Sequence, residues 1–241
     1  MSREASRPHS SQGDVSPEQS LPVLALYETV ATALLLIAVV GSGIMAERLS
    51  GGSAGLALLA NAMATGGALF ALIVSFGPLS GAHMNPVVSL VAGLQRDLPW
   101  RRVCAYVPAQ AAGAIIGVWL AHLMFELPIL QTSQHVRSGI GQWVAEVVAT
   151  FGLLLTIWGS RVHGIPVTGA AVAAYITGAY WFTASTSFAN PAVTVARSLS
   201  DTFAGIAPAD VAGFIAAQLA GLTLALLLMR LRPTIPCRRG R

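Results

Sequence analysis

The sequence predicts an all-α membrane protein with six spanning helices and two re-entrant half-helices, arranged as an inverted repeat. Three observations carry that expectation. Six apolar runs are long enough to cross a bilayer. The two halves of the chain share landmarks in the same order, and an Asn-Pro box lies between those landmarks in each half.

The runs stand out because charge is scarce. Only 10% of the 241 residues are charged and 54% are apolar, whereas a soluble domain carries about 25% charged residues. The apolar runs fall near residues 21–46, 54–76, 103–125, 141–159, 165–182 and 209–231. Two further segments, "GPLSGAHMNPVVSLVAGL" and "TASTSFANPAVTVARSL", are too apolar for ordinary loops and too short to cross alone. Residues 1–20 are polar and rich in Ser and Pro, and read as a disordered cytoplasmic tail. Residues 233–241 read as a basic cytoplasmic tail able to touch anionic headgroups. That tail has no aromatic interleaving and follows an apolar span, so a nucleic-acid site is not expected.

All 14 basic residues are arginine. With an even number of spans, Arg3, Arg7, Arg96, Arg101, Arg102, Arg161 and the arginines from Arg230 onward share one side, leaving Arg48, Arg137 and Arg197 on the other. The positive-inside rule then places both termini in the cytoplasm, at the inner (plasma) membrane if the source is bacterial.

The repeat is legible residue by residue. In "YETVATALLLIAVVGS" and "AEVVATFGLLLTIWGS", Glu28, Val30, Ala31 and Thr32 align with Glu146, Val148, Ala149 and Thr150. Downstream, "AQAAGA" matches "AQLAGL". Three spans per repeat is an odd number, so the second half inserts upside down and a pseudo-two-fold axis lies in the membrane plane. The repeats cover about 21–125 and 140–232.

Asn is a favoured N-cap, and Pro suits the first helical position because its missing N–H would be unpaired there. Asn85-Pro86 and Asn190-Pro191 therefore each start a helix of about ten residues, or ~15 Å. Two of these, one from each face, meet N-terminus to N-terminus at the midplane. Irregular backbone at that depth is tolerated where it is buried in protein or lines a cavity, so a pore is expected. Its centre receives the positive ends of two helix dipoles and the Asn85 and Asn190 amides, each free to cap its helix and donate into the lumen.

Glu28 and Glu146 are intramembrane carboxylates, functional candidates by default. With no His or Lys placed to complete a relay, they read as structural acceptors for the re-entrant loops. His83 shapes the first loop. The spacing of Gly113 and Gly117, and of Gly221 and Ala225, predicts close helix packing. His122, His135 and His163 show no metal spacing, the two cysteines form no ligand cluster, and no catalytic arrangement or nucleotide loop is present. Neither an enzyme nor a cofactor is expected.

These residues resemble the major intrinsic protein family, the aquaporins and aquaglyceroporins. "SGAHMNPVVSL" looks like the family's first box with Val87 where alanine is usual, and Asn190, Pro191 and Ala192 match the second. The resemblance covers about 21–232. It implies a right-handed bundle, a homotetramer with one pore per subunit, and passage of small neutral solutes through the bilayer. It further implies a selectivity filter at Thr65, Gly178, Ser187 and Val193. Val193 stands where the family nearly always has arginine. The ring so formed is wide and uncharged, suited to glycerol-like polyols and metalloid hydroxides as well as water. "ANPAVTVARSLSDTFAGI" is similar to the arsenic-resistance, AqpS-like branch of the bacterial members, which implies arsenous acid or methylated arsenicals as solutes.

Arg197 lies one turn beyond Val193. It either places a positive charge in the outer vestibule or snorkels to the interface and pairs with Asp201. The alternative to a channel is a secondary transporter built on the same kind of repeat, which needs a coupling site near the midplane.

Overall fold

The computed structural model describes residues 20–231, so the tails expected at 1–20 and 233–241 lie outside the described residues apart from Ser20. The chain forms α1 (Leu21–Leu49), α2 (Ala54–Ser80), α3 (Pro86–Leu94), α4 (Trp100–Met124), α5 (Ile140–Ser160), α6 (Ile165–Phe182), α7 (Pro191–Arg197) and α8 (Pro208–Arg230), with a 3₁₀ turn at Arg161–His163. No strand occurs among the described residues. Six helices are long and apolar enough to cross a membrane, and α3 and α7 are the two half-helices. At nine and seven residues they span ~14 and ~10 Å, shorter than the sequence suggests.

Packing follows the repeat. Helix α1 packs on α4 and on α2, as α5 packs on α8 and on α6. Across the pseudo-two-fold axis α2 meets α6, α3 meets α8, α4 meets α7, and the half-helices meet each other. The face of the bundle bearing Ser20 also carries the turn after α3: Leu24 clusters with Leu98 and Val103. Gln95 Nε2 lies 2.8 Å from Met229 Sδ near the end of α8. Six crossings thus return the chain to the face from which it started.

Each long helix buries one stripe and turns another outward. On α1, Glu28, Ala31, Leu35, Leu36, Val39 and Val40 are buried, whereas Leu26, Val30 and Leu34 are exposed. The outward apolar side chains suit lipid, where they cost nothing to display, and the chain is a multi-pass membrane protein. Without a hydrophobic drive between helices in lipid, close backbone approach and van der Waals contact hold the crossings. A Cβ added at Gly113 would sit 2.2 Å from Thr29 O, and one at Gly117 2.3 Å from Ala33 O. Gly221 plays the same part in the second repeat, 2.5 Å from Val147 O.

Gly117→Ala therefore forces α4 away from α1. Thermal unfolding of the detergent-solubilised protein should show a loss of about 1–3 kcal/mol.

Candidate functional site

Each half-helix begins as its two opening residues dictate. Asn85 Oδ1 accepts from Val87 N at 3.0 Å. Asn190 Oδ1 accepts from Ala192 N at 3.0 Å and Val193 N at 3.3 Å. Pro86 and Pro191 occupy the first helical turn. The amide nitrogens cross the axis: Asn85 Nδ2 donates to Ala189 O and Asn190 Nδ2 to Met84 O, both at 2.8 Å. One of each asparagine's two amide hydrogens is thus committed to the opposite loop, and the other remains for the lumen.

The loops entering α3 and α7 have strained backbone. Ala82, Met84, Thr186, Ser187 and Ala189 all have φ between 48° and 59°, the left-handed region that disfavours L side chains. Their conformation turns N–H groups toward two carboxylates. Glu28 accepts from Ser80 Oγ, His83 N, Met84 N and Gln110 Nε2 at 2.6–3.0 Å. Glu146 accepts from Ser185 Oγ, Phe188 N, Ala189 N and Gln218 Nε2 at 2.6–2.8 Å. The glutamines complete each cradle by also donating to Ser89 Oγ and Thr194 Oγ1, both at 2.9 Å. Gln110 and Gln218 were visible in the matching "AQAAGA" and "AQLAGL" landmarks, but nothing local in the sequence gave them a role.

A cavity of about 390 Å³ runs beside the two N-termini. At one end it reaches Gln95, Asp97 and Arg161 on the face that bears Ser20, and at the other Thr65, Tyr180, Ser187, Phe188 and Arg197. Asn85, Asn190, His83 and Val88 line its middle, with Val193 toward the far end. Asp97 and Arg161 form an ion pair at the first end. His83 is held by its Nδ1, 3.0 Å from Ser89 Oγ, and by edge contact with Tyr106. Val87 is fully buried against Val91, Leu154 and Leu222 and does not line the cavity, so the larger side chain fills the helix packing.

The far end differs from the ring read from spacing alone. Gly178 is not on the cavity wall, and a Cβ there would point at Phe182. On α6 the lining residues are Ile165, Thr168, Val172, Ile176 and Tyr180, an i, i+3, i+4 stripe on one helical face. Gly178 falls two residues off that stripe and points away. Tyr180 takes the position, and its phenol lies 3.2 Å from Thr65 Oγ1. The ring therefore contains an aromatic where glycine was expected, at a neck where the Tyr180 and Thr65 hydroxyls lie 3.2 Å apart.

Nor is it uncharged. Arg197 is 2% exposed, so it neither snorkels to the interface nor pairs with Asp201, whose Oδ1 accepts from Gln134 N at 2.9 Å. Its guanidinium carbon lies 3.5 Å from the centroid of the Phe188 ring, and its Nε donates to Ala204 O. Half-helix α7 is so short that its last residue is still walled in by residues 198–206. A second guanidinium, Arg137 from the α4–α5 segment, lies 5.1 Å from the same ring. It donates to Gly205 O at 2.7 Å and to Ser185 O and Phe203 O at 3.4 Å. Burial lowers the Arg137 pKa to about 10, an effect opposed by Tyr180 and Glu146, so the group stays charged at neutral pH. His135 nearby is held below its ordinary pKa by burial and then by the charges of Arg137 and Arg197. The sequence offers no local signal for Arg137; it is one arginine in a polar segment.

The sequence profile of the major intrinsic protein family matches residues 19–184. The chain is 56% identical over 212 residues to the aquaglyceroporin AqpS of Rhizobium meliloti (strain 1021), covering 87% of this chain and 90% of that protein. It is 29% identical over 140 residues to a glycerol uptake facilitator protein of Streptococcus pneumoniae, covering 52% of this chain and 59% of that one. The fold is similar to the X-ray structure of the aquaglyceroporin from Plasmodium falciparum. The TM-score is 0.65 at 22% identity, over 90% of this chain and 98% of that one.

Glu146→Gln exchanges an acceptor of four bonds for a group that must itself donate. It should lower stability by roughly 3 kcal/mol in thermal unfolding, and Glu28→Gln should do the same by symmetry.

Proposed function

Because the chain belongs to the major intrinsic protein family, we propose that it is a passive channel for small uncharged solutes, carrying water and glycerol-like polyols down their gradients. Metalloid hydroxides such as arsenous acid, and methylated arsenicals, fall within the same reading as small hydroxylated solutes; the identity with an aquaglyceroporin supports the polyols. The observation that carries the proposal is the cavity beside the two facing half-helix N-termini, with Asn85 and Asn190 both on its wall.

The mechanism follows from that wall. Leu35, Val39, Leu69, Val88, Val172, Ile176 and Val193 supply apolar sides, which hold a solute weakly and let it move on. Polar groups interrupt them at the asparagines and at the neck of Thr65 and Tyr180. A solute hydroxyl can replace the Thr65–Tyr180 bond as it enters, then reach the free amide hydrogens of Asn85 and Asn190. The positive ends of α3 and α7 disfavour cations at the centre. Pro86, Pro191, Val87 and Ala192 position this centre, and Thr65, Tyr180, Ser187 and Val193 surround the neck. No coupling step is built in, because each intramembrane carboxylate already accepts four hydrogen bonds. That favours a pore over a secondary transporter.

The arginine distribution supports both termini in the cytoplasm, which makes the neck the outer end of the pore, and the similarity to a bacterial aquaglyceroporin supports a bacterial inner membrane. The outward apolar faces are compatible with lipid and with assembly into a homotetramer.

Stopped-flow swelling of proteoliposomes tests the reading. Wild-type protein should accelerate glycerol entry, and no acceleration over empty vesicles would sink the proposal. Val193→Arg adds bulk and a third charge at the neck and should slow glycerol by roughly tenfold, about 1.4 kcal/mol of barrier. Tyr180→Ala should admit longer polyols that wild type rejects.

A further inference from the structure

The neck carries more positive charge than a path for neutral solutes alone needs. Arg197 and Arg137 are 2% and 8% exposed, and both guanidiniums lie against Phe188. Neither forms an ion pair among the described residues. Their bonds are to main-chain carbonyls: Ala204 for Arg197, and Gly205, Ser185 and Phe203 for Arg137. Glu146 is the carboxylate of this half, and its oxygens are engaged by Ser185, Phe188, Ala189 and Gln218. The two buried guanidiniums thus have no carboxylate in an ion pair: Glu146 is already saturated with donors, and Asp210 Oδ2 accepts from the Arg137 main-chain N at 2.7 Å. Removing such charges from water is costly unless a counter-charge completes the site. The N-terminus of α7 adds further positive potential.

A second observation is independent of the charge. Ser187 lines the same end of the cavity and is 4% exposed, and its Oγ has no hydrogen-bond partner among the described residues. A buried hydroxyl without a partner is uncommon and calls for one. Arg197 also lines this end of the cavity, and its terminal nitrogens make none of the bonds just described.

We propose that the outer end of the passage is a binding subsite for small oxyanions, in which Arg197 supplies the charge-assisted donors, Ser187 a hydroxyl, and Arg137 a second positive charge behind Phe188. The inference rests on the channel reading and extends its solutes from neutral molecules to the deprotonated forms of small oxyacids. A guanidinium presents a fork of N–H donors matched to two oxygens of one anion. The tyrosine and threonine hydroxyls at the neck can bond a remaining oxygen.

The test uses inorganic phosphate as the probe, at mildly acidic pH where it is largely singly charged. Phosphorus NMR line broadening is followed on the full-length protein in detergent, with glycerol swelling measured on the same preparation. Wild type should bind phosphate saturably. Arg197→Gln should weaken binding by more than about tenfold. Ser187→Ala, which removes no hydrogen bond of the fold, should weaken it about threefold. Arg48→Gln, a surface arginine packed over Phe125 outside the cavity, should leave affinity unchanged. Absence of saturable binding by wild type, unchanged affinity in Ser187→Ala, or equal losses in Arg48→Gln and Arg197→Gln would each overturn the subsite. Glycerol flux without phosphate binding removes the subsite and leaves the channel standing. Phosphate binding without glycerol flux keeps the subsite and removes the channel.

Discussion

Main-chain N–H groups buried in protein at the depth of a bilayer must find acceptors there, because no water reaches them. Here two carboxylates meet that demand, and the rest of the site depends on them. The loops before α3 and α7 hold left-handed conformations at Met84 and Ala189, each disfavoured by about 1–2 kcal/mol. Charge-assisted bonds to Glu28 and Glu146 offset that cost. Once the loops are fixed, Asn85 and Asn190 can each donate to the carbonyl of the opposite loop, and the two helix N-termini are held tip to tip.

The scaffold is symmetric, but the chemistry along the passage is not. His83 stands in the first loop where Phe188 stands in the second, and Ala92 in α3 where Arg197 stands in α7. At the end shared with Ser20, the one guanidinium on the wall among the described residues, Arg161, is paired with Asp97. At the other end two guanidiniums gather against Phe188 without such a partner. A duplicated framework has thus been given one electrically quiet mouth and one positive neck. At that neck the Tyr180 phenol also lies within hydrogen-bonding distance of Thr65.

Helix packing sets how much room remains for that passage. Gly113 and Gly117 let α4 settle onto carbonyls of α1, and Gly221 lets α8 settle onto α5. Gly66 of α2 sits where a Cβ would meet Thr177 of α6. These close approaches draw the outer crossings together, while the half-helices hold the centre open. The side chains left outward are apolar and contribute little between helices in lipid, so shape complementarity carries much of the stability.

The sequence alone determined the element list: six apolar runs, two Asn-Pro helix starts, and paired landmarks that specify an inverted repeat. Glu28 and Glu146 could be read as loop anchors because an unpartnered carboxylate is so costly in that environment. Spacing along the chain could not decide the neck. Whether Gly178 or Tyr180 faces the lumen depends on the phase of α6 as it packs against α2, and a shift of two residues turns a helix face by about 200°. The burial of Arg197 depends on the folding of residues 198–206 over its short helix. Arg137 joins it from a different repeat boundary, 60 residues away in number and adjacent in space. Local pattern encodes what each segment is. Which side chains meet inside the passage is set by helix rotation and long-range packing, and those exist only once the whole bundle has formed.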